Sequence, residues 1–583
     1  MRLTHYKDKK GVERYYVIKT YYDNDRKQHT KTVESLGTED EIRKRTGQDP
    51  VLWAKQHVEE LNRIEEEQKQ EIIVKFHPNE LITKDSRTKF NIGYLFLQKI
   101  YYELKMDNIV KAISKQYKFD YDLNSILSDL IYGRIICPSS KKSTFDFSYT
   151  KIEQPDYELH QVYRSLDVIS KEEDFLQSEL YKNSFAMGKR NTGVIYYDCT
   201  NFFFEIEEPD SPGELRQYGK SKENRPLPIV EMGLFIDSDG IPLAMCIHPG
   251  NTNEQVTVKP LEEKIMKDYG LSKFVFCADA GLSSNANKRY NSRQNKAFVV
   301  TQSIKKLNKE LHDWALNPDG WRLVGAEKSK EFKKKFNIEE LDEEKYYDRV
   351  FYKERWVDKK DFEEKLIVTF SLKYRNYQHH IREEQIKRAE KAIGSGAKRL
   401  AKKNANDYRR FIEKISATDD GEIAENHLYS LNQERINEEA KYDGFYAVCT
   451  DLDDTIDNIV AINKYRWKIE ECFRIMKTDF ESRPVYVSLQ DRIKAHFITC
   501  YLSLVVYRYL EKKLGNQYTG VQILDTLRDM ELLELPGEGY IPAYTRTDLT
   551  DKLHEISGFR TDYTIIPKKK MKEILKASKK RSV

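Results

Sequence analysis

The chain of 583 residues carries 99 Lys and Arg against 95 Asp and Glu, a net charge of +4, with 39 % apolar residues, 38 Tyr, 26 Phe and 16 Pro. So many aromatics with so little proline exclude a disordered chain, and the length predicts three to four domains at about 150 residues each. The most apolar run, Phe497 to Tyr507, is broken by Thr and Ser and stops short of the ~20 residues that a membrane span needs. The opening MRLTHYKDKK lacks a signal-peptide stretch, and no CxxC pair exists for a zinc knuckle. The expectation is a cytoplasmic protein with reduced core thiols.

In chain order, residues 1–50 open with alternating aromatic and polar positions (RYYVIKTYY, then QHTKTVESLG), which predict a small antiparallel β ribbon. From 51 to 190 the period becomes helical, with amphipathic stretches such as NIGYLFLQKIYYEL and LNSILSDLIYGRI. That region is read as a helical DNA-binding module, with a plain helical bundle at least as common a reading. Residues 191–304 change texture: VIYYDCTNFFFEIE, PIVEMGLFID and PLAMCIHPG predict three strands, followed by helix, strand, helix, strand. Residues 305–441 are rich in Lys and Glu and read as a mostly helical basic insertion, with a short strand at KLIVTFSL. Strand texture returns at GFYAVCT (444–450), so 442–515 reads as the second part of the interrupted domain, with a long helix from Asp454 to about Phe480. Residues 516–583 form a C-terminal region with a basic tail.

The charge is segregated. Lys373 to Lys414 holds 13 Lys and Arg against five acids, and Lys568 to Arg581 holds eight against one. Such segregation suits a protein that holds a polyanion on some surfaces and gathers carboxylates elsewhere, although Lys-rich faces are also simply solvated. Lys398, Arg399, Lys402 and Lys403 are the densest part of the first segment.

Three acids stand where phosphoryl-transfer chemistry needs them. Asp198 follows the apolar run VIYY, Asp279 ends FVFCA just before Ala280-Gly281, and Glu470 lies mid-helix in NKYRWKIEECFRIMK. A carboxylate at a buried strand end is costly unless a cation or hydrogen bonds compensate it. At about 100° per residue, Glu470 and Lys477 fall within about 40° of Arg466, on a stripe beside the apolar face of Ile462, Ile469, Phe473 and Met476. Glu471 points away from both. Such a stripe is equally a salt-bridge ladder on a solvated face.

At these positions the sequence resembles the DDE transposases of bacterial insertion sequences, and among them the "insertion sequence four" superfamily with its Tyr-x2-Arg-x3-Glu-x6-Lys signature. The resemblance rests on Asp198-Cys199-Thr200, Asp279-Ala280-Gly281 and Arg466, Glu470 and Lys477, with YGKSKENRPLP (218–228), HPGNTNE (248–254), YDGFYAVCT (442–450) and RWKIE (466–470). It covers most of the chain. The signature Tyr position falls on Asn463, and Tyr465 lies off the stripe.

The resemblance implies an α/β fold: an RNase H-like catalytic core interrupted by a large insertion, preceded by the ribbon and the helical region. It implies Asp198, Asp279 and Glu470 as catalytic ligands of two Mg²⁺ ions (Mn²⁺ substituting), which assist in-line displacement at a phosphodiester. It also implies that Arg466 and Lys477 hold phosphates, that Trp467 stacks on or near a displaced base, and that the partners are double-stranded DNA and a second copy of the chain in synapsis. Trp467 as a core residue remains an equal reading. The loop with Lys220, Lys222 and Arg225 is one residue too long for a P-loop and reads as a basic DNA-backbone contact. Asp451, Asp453, Asp454 and Asp457 do not fit an EF-hand, since Ile456 and Ile462 occupy its Gly and Glu positions. They are read as capping the helix that carries Glu470, and His248 as structural. The favoured function is a transposase. The alternatives are an RNase H-like nuclease without strand transfer and a degenerate, non-catalytic DNA-binding protein.

Overall fold

The computed structural model describes residues 1–7, 12–22, 27–69, 78–79, 81–325, 333–395, 406–417 and 423–581. Instead of the three to four domains expected from length, they form two compact units: Met1–Ser86 with Leu535–Glu538, and the remainder.

In the first unit, strands β1 (Arg2–Lys7), β2 (Glu13–Tyr22) and β3 (Gln28–Thr38) form the antiparallel ribbon, followed by helices α1 (Glu39–Thr46) and α2 (Pro50–Lys69). Val17, Leu36, Ile42, Ala54 and Val58 bury a small shared core, because only one face of the ribbon is apolar at alternate positions.

The second unit begins with β4 (Lys89–Asn91) and six helices: α3 (Tyr94–Glu103), α4 (Met106–Ser114), α5 (Leu123–Ile136), α6 (Lys141–Ser148), α7 (Leu159–Lys171) and α8 (Glu173–Ser184). The mixed domain follows as β5 (Val194–Phe203), β6 (Ile229–Asp237), β7 (Pro242–Pro249), α9 (Val258–Tyr269), β8 (Val275–Ala278), α10 (Asn285–Asn291) and β9 (Ala297–Thr301). This is the order that the sequence texture predicts. The stretch 305–441 is not mostly helical: its described residues hold α11 (Lys309–Leu316), β10 (Arg322–Leu323), α12 (Glu343–Tyr346), β11 (Phe351–Lys359), β12 (Phe362–Phe370), α13 (Leu372–Gly394), β13 (Ile412–Ala417), β14 (Ile423–Leu431) and α14 (Gln433–Ala440). β15 (Phe445–Thr450) comes next.

Nine strands form one sheet in the order β10-β11-β12-β15-β9-β8-β5-β6-β7. β5 pairs antiparallel with β6 and parallel with β8, and β9 continues parallel to β8. β12 and β15 extend the same sheet, so the expected insertion contributes to the sheet instead of standing apart from it. Alternation along β5 divides the core. Tyr196 and Phe202 face the helical layer, whereas Tyr197 and Cys199 face α9 through Val258, Leu261 and Ile265.

The long helix expected from Asp454 to Phe480 is broken. α15 (Ile456–Lys464) ends at Tyr465, α16 (Trp467–Arg474) begins after Arg466, and residues 475–479 form a π turn. Its cap is Thr455, which accepts from the Asn458 N–H, and not the neighbouring acids. Asp451 instead accepts from Phe298 N–H, and Asp457 from Gly325 N–H. α17 (Gln490–Lys513) is buried on nearly every side, which explains its long apolar run. The chain ends with α18 (Gly520–Asp529), β16 (Glu531–Leu535), β17 (Gly539–Pro542), α19 (Asp548–Ser557), β18 (Ile566–Pro567) and α20 (Lys568–Ser578). The basic tail folds back within this unit: Lys579 pairs with Glu153 at 2.6 Å and Arg581 with Asp107 at 2.8 Å.

Gly233 on β6 sits where Tyr197 crosses the strand. A Cβ there would lie 2.1 Å from the Tyr197 hydroxyl and 2.9 Å from Cys246 Sγ. Tyr197 is in turn held by Thr257 at 2.6 Å. Gly233→Ala is therefore expected to destabilise the protein by about 1–3 kcal/mol through overpacking, measured as a lower denaturant midpoint with an unchanged slope.

Candidate active site

β5 and β8 bring two of the three acids together through their register. Val194 pairs with Val275, Ile195 with Phe276 and Tyr196 with Cys277, a constant offset of 81 residues. The same offset links Asp198 to Asp279 as β8 ends at Ala278. Asp198 is on the predicted strand, as expected, but in the middle of ten-residue β5 and not at a strand end. Its Oδ1 accepts from the Cys199 N–H at 2.8 Å. Burial pushes its carboxyl up to about 7 and the charge of Asp279 adds to this, while Lys222 and Arg466 pull the other way. Asp279 forms the turn after β8, its Oδ1 accepting from the N–H groups of Gly281 (2.8 Å) and Leu282 (3.2 Å).

The third acid is carried by the broken helix. Arg466 occupies the joint between α15 and α16, and its Nη1 lies 3.2 Å from Glu470 Oε1. Burial opposes the charge of Arg466, and Tyr446, Glu470, Asp198 and Asp279 together more than offset that, holding its pKa above the ordinary arginine value. Arg466 thus feels the charge of all three acids. Glu470 itself is 58 % exposed in its side chain. Glu471 points elsewhere, accepting from Arg508 at 3.0 Å. Helix phase therefore separates the two glutamates as expected, because residues 466–470 stay in one turn.

Lys477 does not continue the stripe toward solvent. It lies within the π turn and donates to Thr200 Oγ1 at 2.6 Å, over the ring of Phe202. Burial lowers its pKa to about 8, with Lys222 contributing. Trp467 is 51 % exposed, which removes the core reading. Asn463 accepts from Thr301 Oγ1 at 3.4 Å, and the same hydroxyl meets the Tyr446 phenol at 2.7 Å.

The loop between β5 and β6 is fastened by Asn201. Its Nδ2 donates to the Lys220 carbonyl at 3.0 Å, and its Oδ1 accepts from the Lys222 N–H at 3.2 Å. Lys222 then reaches the Cys199 carbonyl and pairs with Glu254 at 2.9 Å. Arg225 lies over the Phe203 ring at 4.2 Å, and the side chain of Lys220 is exposed. Only Lys222 of the three reaches the acids. Lys398, Arg399, Lys402 and Lys403 lie outside the described residues.

The family described as transposase DDE domain matches residues 210–506, a span that contains Asp279, Arg466, Glu470 and Lys477 and begins shortly after Asp198. The chain belongs to that family. No curated protein matches it. Among solved structures, it is similar to a cryo-electron-microscopy structure of a piggyBac transposase synaptic complex with hairpin DNA. That similarity has a TM-score of 0.34 and 9 % identity, covering 76 % of this chain and 82 % of that one.

The three acids would supply only carboxylate oxygens, the donor type that a hard divalent ion takes. Asp198 and Asp279 fit such an ion best, being neighbours by register whose mutual repulsion raises the Asp198 pKa. Glu470 is not drawn in to ligating distance: among the described residues, the one group of three with ligand atoms all within 4.8 Å is Asp551, His554 and Asp562. That group is occupied differently, since Arg560 bonds both acids and Arg546 bonds Asp551. None of the described helices is long and apolar enough to cross a membrane.

Sequence reasoning missed Tyr446, Glu254 and Arg483. The first two lie inside YDGFYAVCT and HPGNTNE, which carry the resemblance without singling out either residue. Arg483, which pairs with Glu223, gave no signal because nothing in its context joins it to the β5–β6 loop.

The depressed pKa of Lys477 has a signed consequence. The folded lysine releases its proton near 8 and the unfolded one near 10.5, so the unfolded state binds more protons between those values and stability rises with pH there. The melting-temperature advantage of Lys477→Met over the parent is therefore expected to shrink from pH 7 to pH 10, as read by thermal unfolding at fixed ionic strength.

Proposed function

We propose that this transposase cleaves and joins DNA at the ends of a bacterial insertion sequence, through an RNase H-like core in which Asp198, Asp279 and Glu470 hold Mg²⁺ (two ions, with Mn²⁺ able to substitute). The observation that carries the reading is the 81-residue offset of β5 against β8, which sets the two aspartates side by side with Arg466 common to them and to Glu470. The strand order β7-β6-β5-β8-β9, antiparallel up to β5 and parallel beyond it, supports the RNase H-like assignment. When bound, the metal would supply charge neutralisation at the phosphodiester and activation of the attacking oxygen.

The chain's own residues position the substrate. Arg466, planar and directional, holds a phosphate beside the acids, and Lys477 holds a neighbouring one as a point charge. Lys222 neutralises Asp198 while no cation is present and is then free to turn to the DNA backbone. Trp467 and Tyr465, both about half exposed, offer ring faces to an unstacked base. The Tyr446 phenol stands near Arg466 where position 463 supplies only Asn. Joining two ends requires two copies of the chain, so the working form is a homodimer on double-stranded DNA.

The test is metal-dependent cleavage and strand transfer on a linear DNA bearing the inverted repeats that flank the gene. Asp198→Asn, Asp279→Asn and Glu470→Gln are each expected to slow single-turnover cleavage about a thousandfold or more, with DNA binding kept within a few-fold. Glu471→Gln should keep the rate and lose stability, because Arg508 loses a partner. Full activity in Glu470→Gln would overturn the assignment, and cleavage without joining would favour a simple nuclease.

A second comparison tests the phosphate grip. Arg466→Lys should be nearly as slow as Arg466→Ala, whereas Lys477→Arg should outperform Lys477→Ala. Normal rates with lowered melting temperatures would make both residues parts of a stabilising ladder only.

A further inference from the structure

A second cluster of cations lies beside the candidate site, in a pocket between α5, the start of α6, the turn after the π segment and the start of α17. Its volume is about 100 Å³, several times what one water molecule needs. Arg134, Lys141, Arg483 and His496 line it, together with Ser139 and Ser140 before α6. The exposed Glu481 is its one acidic lining residue.

The unusual member is Lys141. It is only 4 % exposed, yet among the described residues its ammonium has neither a hydrogen bond nor a carboxylate partner. Burial and the nearby Arg134 bring its pKa down to about 7. Arg134 is fixed by carbonyls, donating to Phe480 at 3.1 Å and Ser139 at 2.9 Å, and its Nε has no partner. His496 donates from Nε2 to the Ser482 carbonyl at 3.0 Å, and its neighbours Lys141 and Arg134 help burial to keep it neutral. A buried, unpaired lysine is expensive as a cation, so it either sheds its proton or takes a counter-ion or a ligand.

The pocket also has a direction. Arg483 pairs with Glu223 and lies over Phe203, and Lys477 is 3.9 Å from the same Glu223. Cations thus run from Asp198 along β5, through Lys477 and Arg483, into the Lys141 pocket. We propose that this pocket binds a phosphate oxyanion, supplied by the DNA backbone a short distance from the bond to be cut. The proposal rests on the DNA-cleaving reading for the source of the phosphate. The pocket's preference for an oxyanion stands on Lys141 and Arg134 alone.

The experiment uses the full chain in EDTA, so that no cleavage occurs and failure of the catalytic assignments leaves it untouched. Binding of a duplex of about 30 base pairs is followed against salt for the parent and for Lys141→Met. The expected result is a loss of roughly three- to tenfold in affinity, with the slope of log affinity against log salt reduced by about one. Replacing chloride by inorganic phosphate at constant ionic strength should raise the parent's melting temperature but not the variant's. It should also weaken the parent's hold on the duplex, a measurement that needs no variant should Lys141→Met fold poorly. An unchanged salt slope in Lys141→Met would overturn the proposal. So would phosphate that stabilises the parent without competing with the duplex, because the pocket would then serve a free anion and not DNA.

Discussion

A carboxylate in the middle of an interior strand is the constraint around which this transposase is arranged. Asp198 lies on β5, with β6 on one side, β8 on the other and helices packed on both faces. Burial and the adjacent Asp279 disfavour its charge, and an isolated ion there would be lost to protonation. Two cations offset this from distant parts of the chain. Lys222 arrives because Asn201 ties down the β5–β6 loop, and Arg466 arrives because the helix breaks between α15 and α16. The loop and the helix break that look irregular in the fold are thus the features that deliver the compensating charge.

The same principle governs the rest of the charge. A net of +4 conceals ion pairs across the fold, among them the buried Arg190 with Asp237 at 2.7 Å and Lys288 with Glu364 at 2.8 Å. The C-terminal basic segment spends part of its charge on Glu153 and Asp107, so a run that reads as a polyanion-binding tail is partly a structural clasp. Lys141, left without an acid, and Lys477, shared between a hydroxyl and a distant acid, are the lysines whose ammonium groups burial destabilises. Which lysine belongs to which group depends on what the fold sets beside it, not on its sequence context.

Local patterns made much of this architecture legible in advance. The period-two ribbon, the helices from 94 to 184 and the strand–helix order from 194 to 301 follow from side-chain periodicity, which acts within a few residues. Arg466 and Glu470, four positions apart, meet because one helical turn brings them together, and the same phase turns Glu471 toward Arg508. The 81-residue spacing of Asp198 and Asp279 was likewise present in the sequence, but only strand pairing gives it meaning as a register.

Tertiary structure decided the rest. The stretch 305–441 reads as helical because its charged residues mask the strands, yet β12 pairs with β15, and β11 with β12, extending the sheet. Lys477 turns inward to Thr200 from a π turn, a break in helical geometry that no periodic pattern records. Tyr446 lies close enough to act electrostatically on Arg466, and Arg483 pairs with Glu223 from a segment far away in the chain. The sequence by itself determined which residue types were available and the local elements that carry them. Which charges would face one another was decided by packing, because electrostatic partners are selected by distance in space and by the water that folding removes.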